Sequence, residues 1–158
     1  MNPHLYIDLS IVIPTFNEEG NVQRLHTELC QVLAQIGIEN YEVIFIDDGS
    51  TDASLARIED LRLQDPRVHY LQFSRNFGHQ HALKAGLDHA RGAAVISLDA
   101  DLQHPPALIS QMVKLWREGA EVVYTRRQDK QNIGLFKKLS AKIFYWIANR
   151  LSEVPIEE

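Results

Sequence analysis

Two aspartates separated by one residue, Asp99 and Asp101, are the side chains of this sequence whose type and spacing most clearly suggest chemistry. They end an apolar run and open the segment DADLQHPP at residues 99–106. Carboxylate oxygens suit Mg²⁺ or Mn²⁺, which proteins often hold with one or two carboxylates plus substrate phosphates. The same aspartates could instead cap a helix predicted to begin at Pro105 and Pro106. The pair alone leaves both interpretations open.

The length and composition fit one globular domain with its own core. The chain has 158 residues, of which 45% are hydrophobic and 23% charged. The single cysteine, Cys30, falls on the apolar side of a helical pattern, so we expect a buried thiol and no disulfide within the chain. We identify no signal peptide at residues 1–8 and no apolar run of about 18 residues, which predicts a soluble or peripheral chain.

The charge is unevenly distributed along the chain. Residues 1–125 carry 9 Lys or Arg against 17 Asp or Glu, whereas residues 126–150 carry 7 basic side chains against Asp129 alone. The acidic body argues against a nucleic-acid-binding protein. The basic segment indicates a surface for phosphate or an anionic membrane, or simply a solvated helix face.

The elements that must position the aspartates alternate between strands and helices. Apolar, β-branched runs predict strands at residues 9–13, 42–46, 68–73, 93–98 and 121–125, and helical periodicity fills the intervals, for example at 21–36 and 50–64. Short connections of this kind predict an α/β fold, with a parallel sheet covered by helices on both faces.

Polar side chains concentrate after the carboxyl ends of the predicted strands, which is the edge where open α/β sheets bind ligands. These residues are Glu18, Asp47, Asp48, Arg75, Asp99, Asp101, Arg126 and Arg127. The loop after the first strand is neither GxGxxG nor a P-loop, which disfavours dinucleotide oxidoreductases and P-loop NTPases. A diphosphate bound here therefore needs a cation and basic side chains. Asp48 could accept hydrogen bonds from a base or ribose, or cap the following helix, a role that better suits Ser50 or Thr51.

Four segments in order, IVIPTFNEE at 11–19, IDDGSTD at 46–52, SRNFG at 74–78 and DADLQHPP at 99–106, resemble family 2 glycosyltransferases. Within the family they are most similar to polyprenyl-phosphate sugar transferases, such as dolichyl-phosphate mannose synthase and undecaprenyl-phosphate glycosyltransferases. The resemblance implies a GT-A fold, a Rossmann-like three-layer sandwich with a mostly parallel sheet. It also implies a nucleotide-sugar-binding catalytic domain at 1–132, followed at 133–158 by a basic helix and the start of an acceptor region.

The family pattern, carried over position by position, implies three groups of site residues. Those expected around the donor nucleotide are Pro14, Phe16, Glu18, Ile46, Asp48 and Ala100, with Arg75 and Lys84 nearby. Those expected to hold Mg²⁺ or Mn²⁺ and the diphosphate are Asp99, Asp101 and Gln103. Arg126 is expected to meet phosphate after the fifth strand. Lys84 could instead be an ordinary solvated surface lysine.

The resemblance implies metal-dependent, inverting transfer of a sugar from a nucleotide diphosphate to a polyprenyl phosphate. A phosphate acceptor is already largely ionised near pH 7, so that reaction needs no strong general base. A polysaccharide or other hydroxyl acceptor would need a carboxylate base from a later segment. A non-catalytic nucleotide-sugar-binding module at a membrane is a third interpretation.

The remaining motifs concern histidines and the basic segment. We expect loop or capping roles for His79, His81 and His104, because their spacing matches no zinc site. Residues 134–151 are predicted to form a basic amphipathic helix that lies on a membrane surface or packs on the catalytic core. The resemblance places the whole protein at the cytoplasmic face of a membrane.

Overall fold

A computed structural model describes residues 7–125 of the chain, and these residues form a parallel sheet with helices packed on its two faces. The elements in chain order are β1 (Leu9–Thr15), α1 (Val22–Gln35), β2 (Tyr41–Asp47), α2 (Ser54–Gln64), β3 (Val68–Gln72), α3 (His79–His89), β4 (Ala94–Ser97) and α4 (Leu108–Arg117). The strand order is β3-β2-β1-β4, and every neighbouring pair is parallel. The predicted α/β architecture is confirmed.

The central strands β1 and β2 are buried along their whole length. Their apolar runs, Ile11-Val12-Ile13 and Val43-Ile44-Phe45-Ile46, suit a sheet that is covered on both faces. Because alternate side chains point to opposite faces, one strand contributes to two cores. Leu9, Ile11 and Ile13 belong to the larger core, whereas Val12 belongs to the smaller one.

The two faces of the sheet are covered by different helices. The larger core contains apolar side chains of α1, α2 and α4, including Leu25, Leu29, Ile58 and Ile109. The smaller core lies under α3, where Ala82 meets the sheet. Gly86 brings α3 close to β1 and β2, because a Cβ at this position would overlap the Val12 and Ile46 side chains. The layers are therefore helix, sheet and helix.

A buried carboxylate joins the strands at the amino ends of the sheet. Glu42, in β2, accepts hydrogen bonds from the Ser10 hydroxyl at 2.6 Å and from the Arg91 backbone N–H at 2.8 Å. The Arg91 guanidinium also donates to Glu42. Burial alone would raise the pKa of Glu42, but these hydrogen bonds outweigh burial and hold the pKa below its ordinary value.

Two predicted elements differ from the structure. Residues 121–125 form no strand, because they make no ladder with the strands described in residues 7–125, and the Val122 and Tyr124 side chains are more than 80% exposed. A β-branched run favours an extended chain, but a strand also needs a sheet edge to pair with. Helix α2 begins at Ser54 rather than near Ser50, because the residues before it bind the preceding loop.

The described residues up to Tyr124 form one compact unit, and the chain divides from a second unit at Thr125. The predicted boundary at 132/133 and the predicted helix at 134–151 lie outside the described residues. Each helix described between residues 7 and 125 is too short or too polar to span a lipid bilayer.

Candidate functional site

The loops after β1 and β2 hold each other through reciprocal hydrogen bonds. The Asn17 N–H donates to the Ser50 hydroxyl at 3.0 Å, and the Thr51 N–H donates to the Asn17 side-chain oxygen at 2.8 Å. The Glu18 N–H donates to the Ser54 hydroxyl at 2.6 Å. Asn17 has a φ of 56°, a conformation that asparagine tolerates better than most residues. This network of hydrogen bonds explains why polar residues follow both strands. It also fixes the backbone next to Phe16.

The Asp48 carboxylate holds the loop that follows β3. Asp48 is only 3% exposed, and its two oxygens accept the backbone N–H groups of Phe77 at 2.7 Å and Gly78 at 2.9 Å. The backbone of Arg75 lies so close to Gly49 that a Cβ on Gly49 would overlap it, and Gly49 has a φ of 72°. Asp48 therefore positions the start of α3, in addition to any role toward a ligand, and it does not cap α2.

The loop after β4 presents Asp99 and Asp101. Leu98 still bonds to β1 through Val12, so Asp99 leaves the sheet directly at its carboxyl edge. Leu102 has a φ of 59°, which is uncommon for a residue with a Cβ, and this turn redirects the chain after Asp101. Helix α4 begins only at Leu108 and has no side-chain cap. The capping interpretation of the two aspartates is therefore wrong.

The carboxyl edge contains two adjoining cavities. The first, which we call the acidic cavity, has a volume of about 380 Å³ and is lined by Phe16, Glu18, His79, Asp99, Ala100 and Asp101. The second, which we call the Asp48 cavity, has a volume of about 230 Å³ and is lined by Pro14, Thr15, Phe16, Asp48, Asn76, Gly78, His79 and Ala82. Phe16 and His79 line both. Seven residues predicted from the sequence thus meet in one region.

His79 lines both cavities but was not predicted from the sequence, and the same is true of four residues that line only the Asp48 cavity: Thr15, Asn76, Gly78 and Ala82. The Nε2 of His79 lies 3.7 Å from one oxygen of Asp99, and the Nδ1 of His104 lies 3.9 Å from the other oxygen. His79 is the first residue of α3, immediately after the loop that Asp48 holds. The position of His79 just after the carboxyl-end loop of β3 could have indicated that it belongs to the site. Its spacing from the other histidines gave no such indication.

The donor chemistry of the acidic cavity fits a hard divalent cation. Asp99 and Asp101 line the same cavity, and across residues 7–125 no lysine or arginine forms an ion pair with either. The side chain of Asp99 is 44% exposed, so its oxygens are accessible. One Asp101 oxygen accepts the Gln103 backbone N–H at 2.9 Å, which orients the carboxylate. Oxygen ligands of this type suit Mg²⁺ or Mn²⁺.

Four predicted residues are not among those that line the two cavities. Ile46 is fully buried in the smaller core. Arg75 is exposed and stacks its guanidinium 4.4 Å from the centre of the Phe77 ring.

Lys84 is exposed and pairs with Asp88 one turn along α3, as the solvated alternative predicts. Gln103 is exposed beside Asp101. Arg126 lies outside the described residues.

Cys30 is half-buried rather than buried, so the prediction of a buried thiol is wrong. Its sulfur lies 3.6 Å from the His26 Nε2 and accepts a hydrogen bond from the Tyr41 hydroxyl at 3.5 Å. The helical periodicity placed Cys30 beside the apolar face of α1 but could not show these polar neighbours.

Known proteins resemble this chain over most of its length. Residues 10–155 match the sequence profile described as Glycosyl transferase family 2. The chain is 44% identical over 151 residues to the uncharacterized glycosyltransferase YkcC of Bacillus subtilis. This alignment covers 96% of this chain and 46% of that protein. It is 40% identical over 150 residues to the bactoprenol glucosyl transferase of Shigella phage SfV, covering 95% of this chain and 48% of that protein. The chain thus spans about half the length of these relatives.

A solved structure supports the fold. The mannosyltransferase PcManGT from Pyrobaculum calidifontis, in complex with GDP-Man and Mn²⁺, matches with a TM-score of 0.57 at 23% identity, covering 71% of this chain and 33% of that one. At this identity the likeness concerns the fold alone. The match over residues 10–155, on a parallel α/β sheet with the predicted motifs at its carboxyl edge, shows that the chain belongs to glycosyl transferase family 2 and has the GT-A fold.

Proposed function

We propose that this chain is the donor-binding part of a metal-dependent glycosyltransferase that moves a sugar from a nucleotide diphosphate to a polyprenyl phosphate, with inversion at the anomeric carbon. The observation that carries the proposal is the acidic cavity, in which Asp99 and Asp101 lie beside Phe16 and Glu18 at the carboxyl edge of the sheet. The relative named bactoprenol glucosyl transferase supports the lipid-phosphate acceptor.

We assign different parts of the sugar-nucleotide donor to residues in and around the two cavities. Asp99, Asp101 and Gln103 would hold Mg²⁺ or Mn²⁺, which, when bound, neutralises the charge of the departing diphosphate. Phe16 offers an exposed ring at the boundary of both cavities, suited to contact with a base or ribose. The nucleotide site is completed by Pro14, Glu18, Asp48 and Ala100. Ile46 would contribute to it by packing beneath these residues.

The reaction needs alignment rather than a strong base. An oxygen of the acceptor phosphate forms a bond to the anomeric carbon while the bond from that carbon to the diphosphate oxygen breaks, and the nucleoside diphosphate leaves. Because the acceptor phosphate is already ionised near pH 7, no proton must be removed from it. Arg126 is the basic residue that we assign to phosphate, which it would hold for in-line attack, and Arg75 is assigned to the neighbourhood of the donor, whereas Lys84, which pairs with Asp88, is left as a surface residue.

We also assign the protein to the cytoplasmic face of a membrane. The support is the composition of residues 126–150, with 7 basic side chains against one acidic. An anionic lipid surface attracts such a segment and would bring the chain to a lipid-phosphate acceptor.

Calorimetric titration with GDP- and UDP-sugars, with and without Mn²⁺, tests donor binding. We expect one sugar nucleotide to bind with an affinity that Mn²⁺ increases at least tenfold. Asp99→Asn/Asp101→Asn should lose this increase, whereas Asp60→Asn, an exposed residue of α2, should keep it. Equal binding with and without Mn²⁺ would refute the metal-dependent donor site.

Transfer is tested with polyprenyl phosphate, the uncharged polyprenol and an oligosaccharide as acceptors for the same labelled donor. We expect product only with the phosphorylated lipid. Product on the oligosaccharide would favour a hydroxyl-directed transferase, and donor binding without turnover in the protein at its full natural length would favour a binding module.

A further inference from the structure

We propose that His26, Cys30 and Asp65 form a second metal site, for Zn²⁺ or a cation of similar softness, separate from the acidic cavity. A ligating atom from each of the three side chains lies within 4.8 Å of the other two. His26 and Cys30 lie four residues apart on α1, and therefore on one face of that helix. Asp65 follows the last residue of α2.

Two of the three distances between the candidate ligands fit tetrahedral zinc. Zinc bonds of about 2.0 Å to nitrogen or oxygen and about 2.3 Å to sulfur place tetrahedral ligands about 3.3 Å apart for nitrogen and oxygen, and about 3.6 Å apart for nitrogen and sulfur. The His26 Nε2 lies 3.2 Å from Asp65 Oδ2 and 3.6 Å from the Cys30 sulfur. The Cys30 sulfur and the Asp65 oxygen lie within 4.8 Å of each other, which bounds the third distance.

The ligand types select the kind of metal. One nitrogen, one sulfur and one oxygen suit zinc, whereas Mg²⁺ and Mn²⁺ prefer oxygen ligands throughout. The site therefore differs in chemistry from Asp99 and Asp101. It also differs in position, because Tyr41 and Arg67, which contact its members, lie at the amino ends of β2 and β3.

Side chains outside the cluster already orient two of the three ligands, Asp65 through Arg67 and Cys30 through the Tyr41 hydroxyl. Arg67 binds Asp65 through its Nε and Nη2, both at 2.9 Å, and its guanidinium lies 4.3 Å from the centre of the Tyr41 ring. The side chains of His26 and Asp65 are only about a tenth exposed. Each ligating carboxylate or histidine in a metal site is commonly fixed by such outer partners. Three protein ligands leave one position of a tetrahedral ion open. Because Cys30 is only half-buried, water can reach that position.

Metal binding to this cluster is coupled to the release of protons. The hydrogen bond with His26 lowers the pKa of the Cys30 thiol, so the thiolate that metals require forms more readily. The same contact with Cys30 raises the pKa of His26, so the ion must displace a proton from the imidazole. Binding should therefore release protons, which titration in buffers of different ionisation enthalpy detects.

Cobalt and zinc titrations of untagged protein, freed of metal under reducing conditions, test the site. We expect one thiolate-bound Co²⁺ per chain, seen by its thiolate-to-cobalt charge-transfer band, and displacement of that band by Zn²⁺. Cys30→Ser should abolish the band and weaken zinc binding at least tenfold, with the circular dichroism spectrum unchanged. The matched control, Asp99→Asn/Asp101→Asn, should keep the band even though it alters the acidic cavity.

Absence of the charge-transfer band in the unmodified protein, or zinc affinity unchanged by Cys30→Ser, would overturn the proposal. A second measurement needs no variant: one equivalent of Zn²⁺ should slow alkylation of Cys30 by iodoacetamide at least tenfold. Unchanged alkylation would also overturn it. Because these readouts involve neither a sugar nucleotide nor transfer, their result is independent of the proposed glycosyl transfer.

Discussion

Individual side chains at the carboxyl edge of the sheet have structural duties as well as the proposed chemical ones. The Asp48 carboxylate accepts two backbone N–H groups from the loop before α3, and the same loop brings His79 to both cavities. Leu102 holds an uncommon backbone conformation just after Asp101, and its side chain packs against the larger core. The core thus maintains a turn that a leucine would not adopt by preference.

Replacing Asp48 by asparagine should weaken both the fold and donor binding. One of the two backbone N–H groups would face an amide NH₂ in place of a carboxylate oxygen, at a cost of about 1 to 3 kcal/mol in the free energy of unfolding. Urea unfolding measures the loss, and calorimetry with the sugar nucleotide measures the accompanying fall in affinity.

The control for this prediction is Asp88→Asn, because Asp88 is exposed and pairs only with Lys84 along α3 among the described residues. Exposed pairs of this kind contribute about 0.5 kcal/mol or less. An Asp48→Asn protein as stable as the control would show that the two hydrogen bonds do not hold the loop.

At the scale of elements, α3 depends on its smallest residue. Gly86→Ala would place a Cβ against Val12 and Ile46, both in the smaller core. Overpacking costs about 1 to 3 kcal/mol, and the better helix propensity of alanine returns up to about 1 kcal/mol. We expect a net loss of about 1 to 2 kcal/mol in urea unfolding.

Gly20→Ala serves as the matched control, since an added Cβ there meets nothing within 4 Å. Its effect should stay within about 0.5 kcal/mol. A Gly86→Ala protein at least as stable as the unmodified chain would show that α3 can shift away from the sheet without cost.

The buried Glu42 predicts a pH dependence of stability. Its pKa is lower in the folded chain than in the unfolded one, so its stabilising effect is complete above the unfolded pKa of about 4.3 and is lost as the pH falls through the folded value. Glu42→Gln should therefore destabilise the chain by about 1 to 3 kcal/mol at pH 7, and the difference should shrink below about pH 4.

Urea unfolding between pH 7 and pH 3 measures this dependence. Glu39→Gln, at an exposed position just before β2, provides the control and should show almost no difference at any pH. A Glu42→Gln penalty that stays constant down to pH 3 would mean that the shape of the side chain, and not its charge, holds Ser10 and Arg91.

The whole molecule separates its charges along the chain. Residues 1–125 have a net charge of −8 and residues 126–150 a net charge of +6. An acidic body is repelled by anionic lipid, so we expect any binding to such a surface to depend on the basic segment.

Replacing Lys137, Lys138 and Lys142 by glutamine should weaken binding to vesicles that contain phosphatidylglycerol. At about 1 kcal/mol for each charge near the surface, the loss exceeds about a hundredfold at low salt. Co-sedimentation measures it, and Lys84→Gln/Lys114→Gln, two changes within the acidic body, is the control. Equal binding to phosphatidylcholine vesicles, or no effect of salt, would contradict an electrostatic contact.

The sequence by itself determined the architecture and predicted the location of the candidate site. Apolar runs and helical periodicity predicted five parallel strands, because buried strands and amphipathic helices leave distinct patterns, and four of the five form in the described residues. The polar residues after each strand predicted the carboxyl edge as the site, since parallel strands end together. These inferences need only local pattern and one rule of topology.

Only the tertiary structure decided how single residues are used. Residues 121–125 have the composition of a strand, yet pairing depends on a partner that is distant in sequence. Asp48 lies 29 residues from Phe77, and Asp65 lies 39 residues from His26, so their contacts left no local signal. Such partners meet only when the sheet and helices pack. The position of His79 between the two cavities and the cluster around Cys30 are therefore visible only in the folded structure.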